Sequence, residues 1–535
     1  MDVVIKNGRV LDGNCNPWFR GDVAVEGGRI AEVGVVDRLG ADRVIDADGC
    51  IVAPGFIDIH NHSDVSLLVS GRAESMVQQG VTTVITGNCG NSPFPLIGNA
   101  REDAENRLRE RFNLDVDWST PQEYERRLLG QGVSINTGLY VGHGTVRNAV
   151  MGREDRAPTE AEMAEMSELV REAMEAGCFG LSTGLGYSPG MYAKTEEIIE
   201  LCRVVAGYGG IYSTHGRPAH TFPRNINEAI EIGEKAGLPV QMAHIGSSTC
   251  QRQNWGRAGS VTLKIVDAAR ARGVDFTADI YPYTISGGGL TMYIPEWAQE
   301  GGSDAMLQRL ADREQRAKMR PEVDEMVRHR NWSQLLMYSL ASERYREYAG
   351  KTVQEIADIE DVDPFDLACD MIIQEGGSVP FMGMFGLEQD IRTLMKHDAV
   401  MIGSDGTAME PGGVLGKGAV HPRNYGTFAR VIETYVGEGV LSLTEAVHKM
   451  TGMPAWRLGL RDRGVIKPGA CADIVVFDPH LVKEKYSLTE MPGFPTGFHY
   501  VMVNGVVTVE EGKHTGALAG KVLHRQDSQG VRIQK

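Results

Sequence analysis

Short apolar runs bounded by Gly, Pro, Asn and Asp recur through the middle of the chain, each long enough for one strand and too short for a helix. They predict strands at 55–60 (GFIDIH), 81–86 (VTTVIT), 136–142 (NTGLYVG), 179–183 (FGLST), 211–215 (IYSTH), 239–244 (PVQMAH), 275–281 (DFTADIY) and 399–405 (AVMIGSD). Between several of them the period lengthens to that of amphipathic helices, as in 159–177 (TEAEMAEMSELVREAMEAG) and 226–237 (INEAIEIGEKAG). Eight such repeats predict an α/β fold, a parallel (β/α)8 barrel of TIM type, with its chemistry at the strand C-terminal ends.

The two ends of the chain have another texture. Residues 1–54 are short alternating runs broken by Asn-Gly and Asp-Gly, the pattern of hairpins, and the same pattern returns in GVIKPGACADIVVFDP and GFHYVMVNGVVTVEEG. A small β-sandwich domain formed from both termini (1–54 and 461–535) is therefore expected around a barrel spanning 55–460. The seventh and eighth strands lie about 120 residues apart, far beyond an ordinary loop. The segment around 285–398 reads as an insertion, and its charged centre (312–336) as solvated helices, serving either as a lid over the site or as an oligomer contact.

Composition narrows the partners. The chain has 535 residues, a net charge of -17 and eight cysteines spread singly. That charge opposes nucleic acid and anionic membranes, and no basic cluster offsets it. The cysteines lack zinc-ribbon pairs and the density of a secreted scaffold, so they are read as reduced thiols of a soluble cytoplasmic protein. Neither a leader nor a membrane span is apparent in the sequence.

The candidate chemistry sits at the predicted strand ends. His60 and His62, two residues apart in IDIHNH, point to one side of a strand. Cys89 follows the second strand, His215 ends the fifth, His244 the sixth and Asp405 the eighth. Imidazole, thiolate and carboxylate together suit zinc better than magnesium or calcium. Six ligands exceed the need of one tetrahedral ion, so two ions, or one tight and one weak, fit the count. Such a site activates water and polarises a carbonyl. Asp405, beside that water, is placed to take its proton and pass it to a leaving group. His143 and His220 are read as supporting or structural.

With these residues in place the sequence resembles the amidohydrolase superfamily, and within it the N-acyl-D-amino-acid deacylases. The resemblance runs through VAPGFIDIHNHSD, QGVTTVITGNCG, YVGHGTVRNAVMG, LSTGLGYSPGMYAKTEEI, DIYPYT, IGSDG, HPRNYGTFARV and KPGACADIVVFDP. It implies that Cys89, His215 and His244 hold a tight zinc, that His60 and His62 belong to a weaker second position, and that Asp405 is the catalytic acid/base. It further implies that Arg423, Tyr187 and Tyr283 grip the carboxylate of a small acylated amino acid. The expected activity is hydrolysis of N-acyl-D-amino acids, or of dipeptides with a C-terminal D-residue, by a metal-bound hydroxide. The fourth strand lacks the lysine that bridges two ions in most two-metal members of the superfamily, and two features depart from the deacylase pattern: Gly246 stands where this family commonly has lysine, and the glycine run 286–290 is looser than usual. A cyclic-amide hydrolase of hydantoinase or dihydroorotase type is the alternative, and a non-catalytic scaffold with the same barrel a more distant one.

Overall fold

The computed structural model describes every residue except 38–39, 247–248, 251, 330, 378, 417–419, 486–492 and 526–535. Eight parallel strands form the barrel: Phe56–Asp58, Val81–Thr86, Asn136–Leu139 continued by Val141–Gly142, Gly180–Gly184, Ile211–His215, Val240–Met242, Phe276–Ile280 and Val400–Ile402. Each pairs in parallel with the next, and a bridge between Asn61 and Gly406 closes the eighth onto the first. These strands are buried on both faces, which is why their sequences are apolar runs rather than alternating ones.

The helices between them cap as their sequences allow. Thr159 accepts from the Glu162 N–H while Glu162 reaches back to the Thr159 N–H, so helix Glu160–Glu175 begins with both first donors satisfied. Its buried face, Met166, Val170, Ala173 and Met174, follows the helical period.

Both termini build one nine-stranded sheet. The seam is Ile51–Pro54 against Ile474–Phe477, antiparallel. Side chains alternate across this seam: Ile51, Ala53, Val475 and Phe477 pack into the barrel core, while Val52, Ile474 and Val476 close a separate core with Val3, Ile5 and Val25. The C-terminal stretch departs from its expected place in this domain. Val522–Leu523 pairs in parallel with Thr137–Gly138, because the third barrel strand breaks at Tyr140: its first half takes the C-terminal segment as neighbour and its second half takes the fourth strand.

The insertion has its own apolar core, built from Leu290, Tyr293, Leu335, Tyr345, Phe365 and Phe381 among others. It comprises a three-stranded antiparallel sheet (Ile285–Gly289, Leu335–Met337, Pro380–Met384) and several helices. The last helix within the expected span, Glu388–Met395, belongs elsewhere: Ile391, Leu394 and Met395 lie in the barrel core. The insertion also reaches across the barrel mouth, where Tyr192 Oη donates to the Glu296 carbonyl (3.2 Å) and the Gly301 N–H to the Arg153 carbonyl (3.3 Å). No helix among the described residues is long and apolar enough to cross a membrane.

Candidate metal centre

The six residues singled out at the strand ends converge on the barrel mouth as two groups of donor atoms. One group is His60, His62, Cys89 and Asp405; the other is Cys89, His215 and His244; within each, all ligand atoms lie within 4.8 Å of one another. Cys89 is common to both. Its Sγ lies 3.4 Å from His60 Nε2 and 3.7 Å from His244 Nε2. His215 Nδ1 is 2.7 Å from His244 Nε2, and His62 Nε2 is 3.0 Å from Asp405 Oδ1. Two imidazole nitrogens pointed at each other beside a buried thiol are a donor set that one soft-to-borderline cation satisfies, and the whole fits zinc.

The strands end before several of these residues, earlier than the sequence suggests. His244 (φ 34°), Cys89 (φ 52°) and Asp405 (φ 51°) all adopt the left-handed region, which breaks the ladder and turns each side chain inward. The Cys89 turn is held from the fourth strand. Ser182 Oγ donates to the Gly87 carbonyl and accepts from the Gly90 N–H (3.1 Å). Gly184 is required there, since a Cβ at this position would stand 2.3 Å from the Cys89 carbonyl oxygen. The fourth strand thus presents a serine and a glycine that seat the cysteine.

Two buried carboxylates that sequence reasoning did not single out complete the frame. Asp279, at the end of the seventh strand, lies 3.0 Å from His60 Nδ1 and accepts from the His244 N–H (2.8 Å) and from Gln241 Nε2 (2.9 Å). This fixes Nε2 of His60 as the nitrogen facing Cys89. Asp58 accepts from the Ser404 N–H (2.8 Å), Ser404 Oγ and Asn61 Nδ2 (2.8 Å), tying the loop that carries Asp405 to the first strand. Burial raises the Asp58 carboxyl to about 6 against the lowering pull of those hydrogen bonds. The signal was available in principle: an acidic residue inside an apolar barrel strand must have a partner.

The electrostatics favour a cation. Burial alone would lift the Cys89 thiol, but the charge of His60 and hydrogen bonds from His215, His244 and His60 hold it well below the ordinary thiol range. Burial would likewise lift Asp405, yet Arg423, His62, His244 and His60 hold it well below the usual carboxylate range. His62, which burial would lower, is raised to about 9 by Asp405 and Cys89. A thiolate and a carboxylate are thus both stabilised in their ligating forms.

Around the centre opens a cavity of about 850 Å³, lined by His62, Cys89, His215, His244, Asp405 and Arg423 on its floor. Arg423 forms an ion pair with Asp405 and stacks over Tyr281, its Cζ 5.3 Å from the ring centroid. Tyr187 lines the cavity, its Oη 2.8 Å from His215 Nδ1. Tyr283 does not line it: the ring lies under Arg430 (5.2 Å) and beside Gly426, behind the Arg423 helix. Tyr281, two residues earlier, lines the cavity instead, and both rings stand edge-on to His421, at 6.1 Å for Tyr281 and 5.8 Å for Tyr283. His143 is buried against Glu197 (2.8 Å), away from the donor groups, and His220 is exposed on the cavity wall. Gly246 lies outside the main cavity, its carbonyl accepting from Thr249 Oγ1 (2.7 Å).

Comparison with known proteins gives a consistent set of relatives. A sequence model described as Amidohydrolase family matches residues 43–509. A D-aminoacylase of Alcaligenes xylosoxydans xylosoxydans is 35% identical over 98% of each chain, and an N-acyl-D-glutamate deacylase of the same organism is 33% identical over 99% of this chain and 97% of its own. Among solved structures, the N-acyl-D-glutamate deacylase of Bordetella bronchiseptica, in complex with zinc and a phosphonate mimic of the tetrahedral intermediate, superposes with a TM-score of 0.81 at 31% identity, covering 98% of this chain and 99% of that one.

Proposed function

The chain belongs to the amidohydrolase family, and from that premise we propose that it is a zinc-dependent enzyme hydrolysing the amide bond of N-acyl-D-amino acids, dipeptides with a C-terminal D-residue included. One observation carries the reading: a single buried cysteine, Cys89, serves two donor groups at once, with Asp405 and Arg423 beside them at the floor of one cavity. The D-aminoacylase and the N-acyl-D-glutamate deacylase matched along the full chain support the same substrate class.

Cys89, His215 and His244 would hold the tightly bound ion, and His60, His62 and Asp405 a second, weaker one with Cys89 shared. When bound, zinc lowers the pKa of a coordinated water towards 7 and polarises the acyl carbonyl. The remaining work falls to the chain. Asp405, held ionised at the cavity floor, would take a proton from the attacking water and later deliver it to the departing amine nitrogen, so that one carboxylate serves as base and then acid. Arg423 pairs with Asp405 in the free protein. A substrate carboxylate competes for the same guanidinium and can meet it with two parallel hydrogen bonds, freeing Asp405 as the substrate seats. Tyr187 Oη lies at His215 Nδ1, the same nitrogen that faces His244 Nε2, so a bound ion would displace this hydrogen bond and leave the hydroxyl free to meet the substrate. Tyr281 replaces Tyr283 as the ring that braces Arg423.

The cyclic-amide alternative gains no support from the fourth strand, Gly180–Gly184, which offers no lysine to bridge two ions. Eight free cysteines fit a reducing cytoplasmic setting. The deciding experiment is a substrate screen that varies acyl group and amino acid together in the D and L series, with hydantoins as controls, on protein of measured zinc content. Turnover of acylated D-amino acids with at least one zinc per chain is expected. Activity confined to hydantoins, or purified protein with no stoichiometric zinc, would sink the reading.

A further inference from the structure

The cavity is far larger than an acetylated amino acid requires, and its two ends differ. One end lies by the seventh and eighth strands, with Arg423, Tyr281, Ser286 and Gly287. The other lies by the loops after the fourth, fifth and sixth strands and is roofed by the insertion. The lining there is Met191, Met242, Trp255, Ile294 and Met326, joined by Met292, which stands where the two ends meet with its Sδ beside Gly288. Building on the deacylase reading, we propose that this second end is an acyl-binding site made for a large, neutral, apolar acyl group, and that the insertion sets this preference.

The direction of the substrate follows from the chemistry. The scissile carbonyl must sit over Cys89, His215 and His244, and the leaving nitrogen towards Asp405. The amino acid's carboxylate follows that nitrogen to Arg423, so the acyl chain leaves the carbonyl carbon on the other side, past Met242 at the end of the sixth strand and along the loops that carry Met191 and Trp255. A cavity of about 850 Å³ is in the range that encloses drug-sized ligands. Four of the six apolar side chains there are methionines, which repack around varied shapes without one preferred contour. Met292 is 36% exposed although it belongs to an otherwise packed element, so it presents apolar surface to this space.

Charge at this end argues against an anionic acyl group. Arg217 is locked by Glu228 (Nε to Oε2, 2.8 Å) and by the Met191 and Ala193 carbonyls. Glu296, Glu322 and Glu325 line the rim, the last two on the same face of the insertion's charged helix as Met326. Exposed Arg252 lies over Trp255 (5.8 Å) as the facing cation. Glu325 is paired with Arg328 (2.6 Å), which leaves Glu296 and Glu322 against the Arg252 guanidinium, a surplus of negative charge that disfavours an anionic acyl group.

The test uses full-length, zinc-loaded protein and D-leucine carrying acetyl, hexanoyl or succinyl groups. Each buried methylene corresponds to about a fourfold gain, so the four added in hexanoyl should raise kcat/KM on the order of 10²-fold over acetyl. Succinyl should fall at least tenfold below hexanoyl, and hexanoate should inhibit far more strongly than acetate. Met292→Asp should reduce the hexanoyl-to-acetyl ratio about tenfold; because the ratio is taken within one protein, a general loss of folding or metal cancels. Acetyl turned over as well as hexanoyl, or a ratio unmoved by Met292→Asp, overturns the acyl site while leaving the deacylase reading intact. Failure to turn over any acylated D-leucine overturns both.

Discussion

Asp279→Asn isolates the contribution of one buried carboxylate to the metal centre. Alanine would be a poor choice, since it strands the His60 ring N–H, the His244 N–H and the Gln241 amide, at about 1–3 kcal/mol for each unsatisfied donor. Asparagine keeps an oxygen for His60 and His244. Its amide nitrogen would then face Gln241 Nε2, but Gln241 can turn over: its oxygen then accepts from the introduced amide, and its nitrogen donates to Thr277 Oγ1, which in the wild-type protein donates to Gln241 at 2.5 Å. The fold should therefore survive, and what is lost is the negative charge behind His60. Removing such a partner of a metal-binding histidine typically weakens metal affinity 10- to 100-fold, about 1.4–2.7 kcal/mol. The assay is zinc competition against a chromophoric chelator, with circular dichroism to confirm folding. The weaker binding step, to which His60 contributes, should shift more than the tighter one. Zinc affinities within twofold of wild type in both steps, in folded protein, would refute the role given to Asp279.

Other perturbations separate the remaining roles. Asp405→Asn should keep the ion held by Cys89, His215 and His244 but lose turnover by about 10²- to 10⁴-fold; near-normal rates with metal bound would show that another group moves the proton. Gly184→Ala places a methyl 2.3 Å from the Cys89 carbonyl oxygen and should displace the cysteine turn. Metal per chain should then drop well below wild type while the far-ultraviolet spectrum stays unchanged, and full metal content would contradict the packing argument. Glu484, from the terminal sheet domain, lies against Arg430, and burial lifts its carboxyl to about 6 from 4.5. A raised carboxyl contributes its stability below the unfolded value and loses it as pH rises through about 6. The difference, (6 − 4.5) × 1.36, is about 2 kcal/mol. Glu484→Gln should accordingly gain thermal stability relative to wild type on going from pH 4 to pH 8, and a Tm difference that is flat across that range would remove the assignment.

What the sequence made legible is what repeats or alternates. Eight apolar runs became eight barrel strands because a strand buried on both faces has no choice but to be apolar, and the hairpin texture of both ends became one sheet whose outer strand Arg29–Gly34 keeps exposed positions while its seam is buried on both faces. The six candidate ligands were found by position at strand ends, and the structure brings all six together. Other features went unread. The C-terminal strand Val522–Leu523 is two residues long, too short to leave a pattern. That Tyr281 and not Tyr283 lines the cavity is a difference of two residues in one short segment, which no sequence pattern separates. Asp58 and Asp279 sit in apolar runs where a carboxylate reads as a strand terminus, and their partners lie over 200 residues away in Ser404 and His60.

The least legible feature is the backbone of the ligands themselves. Nothing in the residue types Cys89 and His244 announces φ of 52° and 34°, and an L-residue held there costs on the order of 1–2 kcal/mol. That strain persists only because each site is fixed by groups that do not ligate: Gly184 and Ser182 behind Cys89, Asp279 on the His244 N–H, and the His60 carbonyl accepting the Asp405 N–H (2.8 Å) with Asp58 holding Ser404 beside it. The frame that bends the chain at these ligands is thus built from the barrel strands and the loops that follow them, so the fold supports the ligand backbone through groups that do not themselves bind.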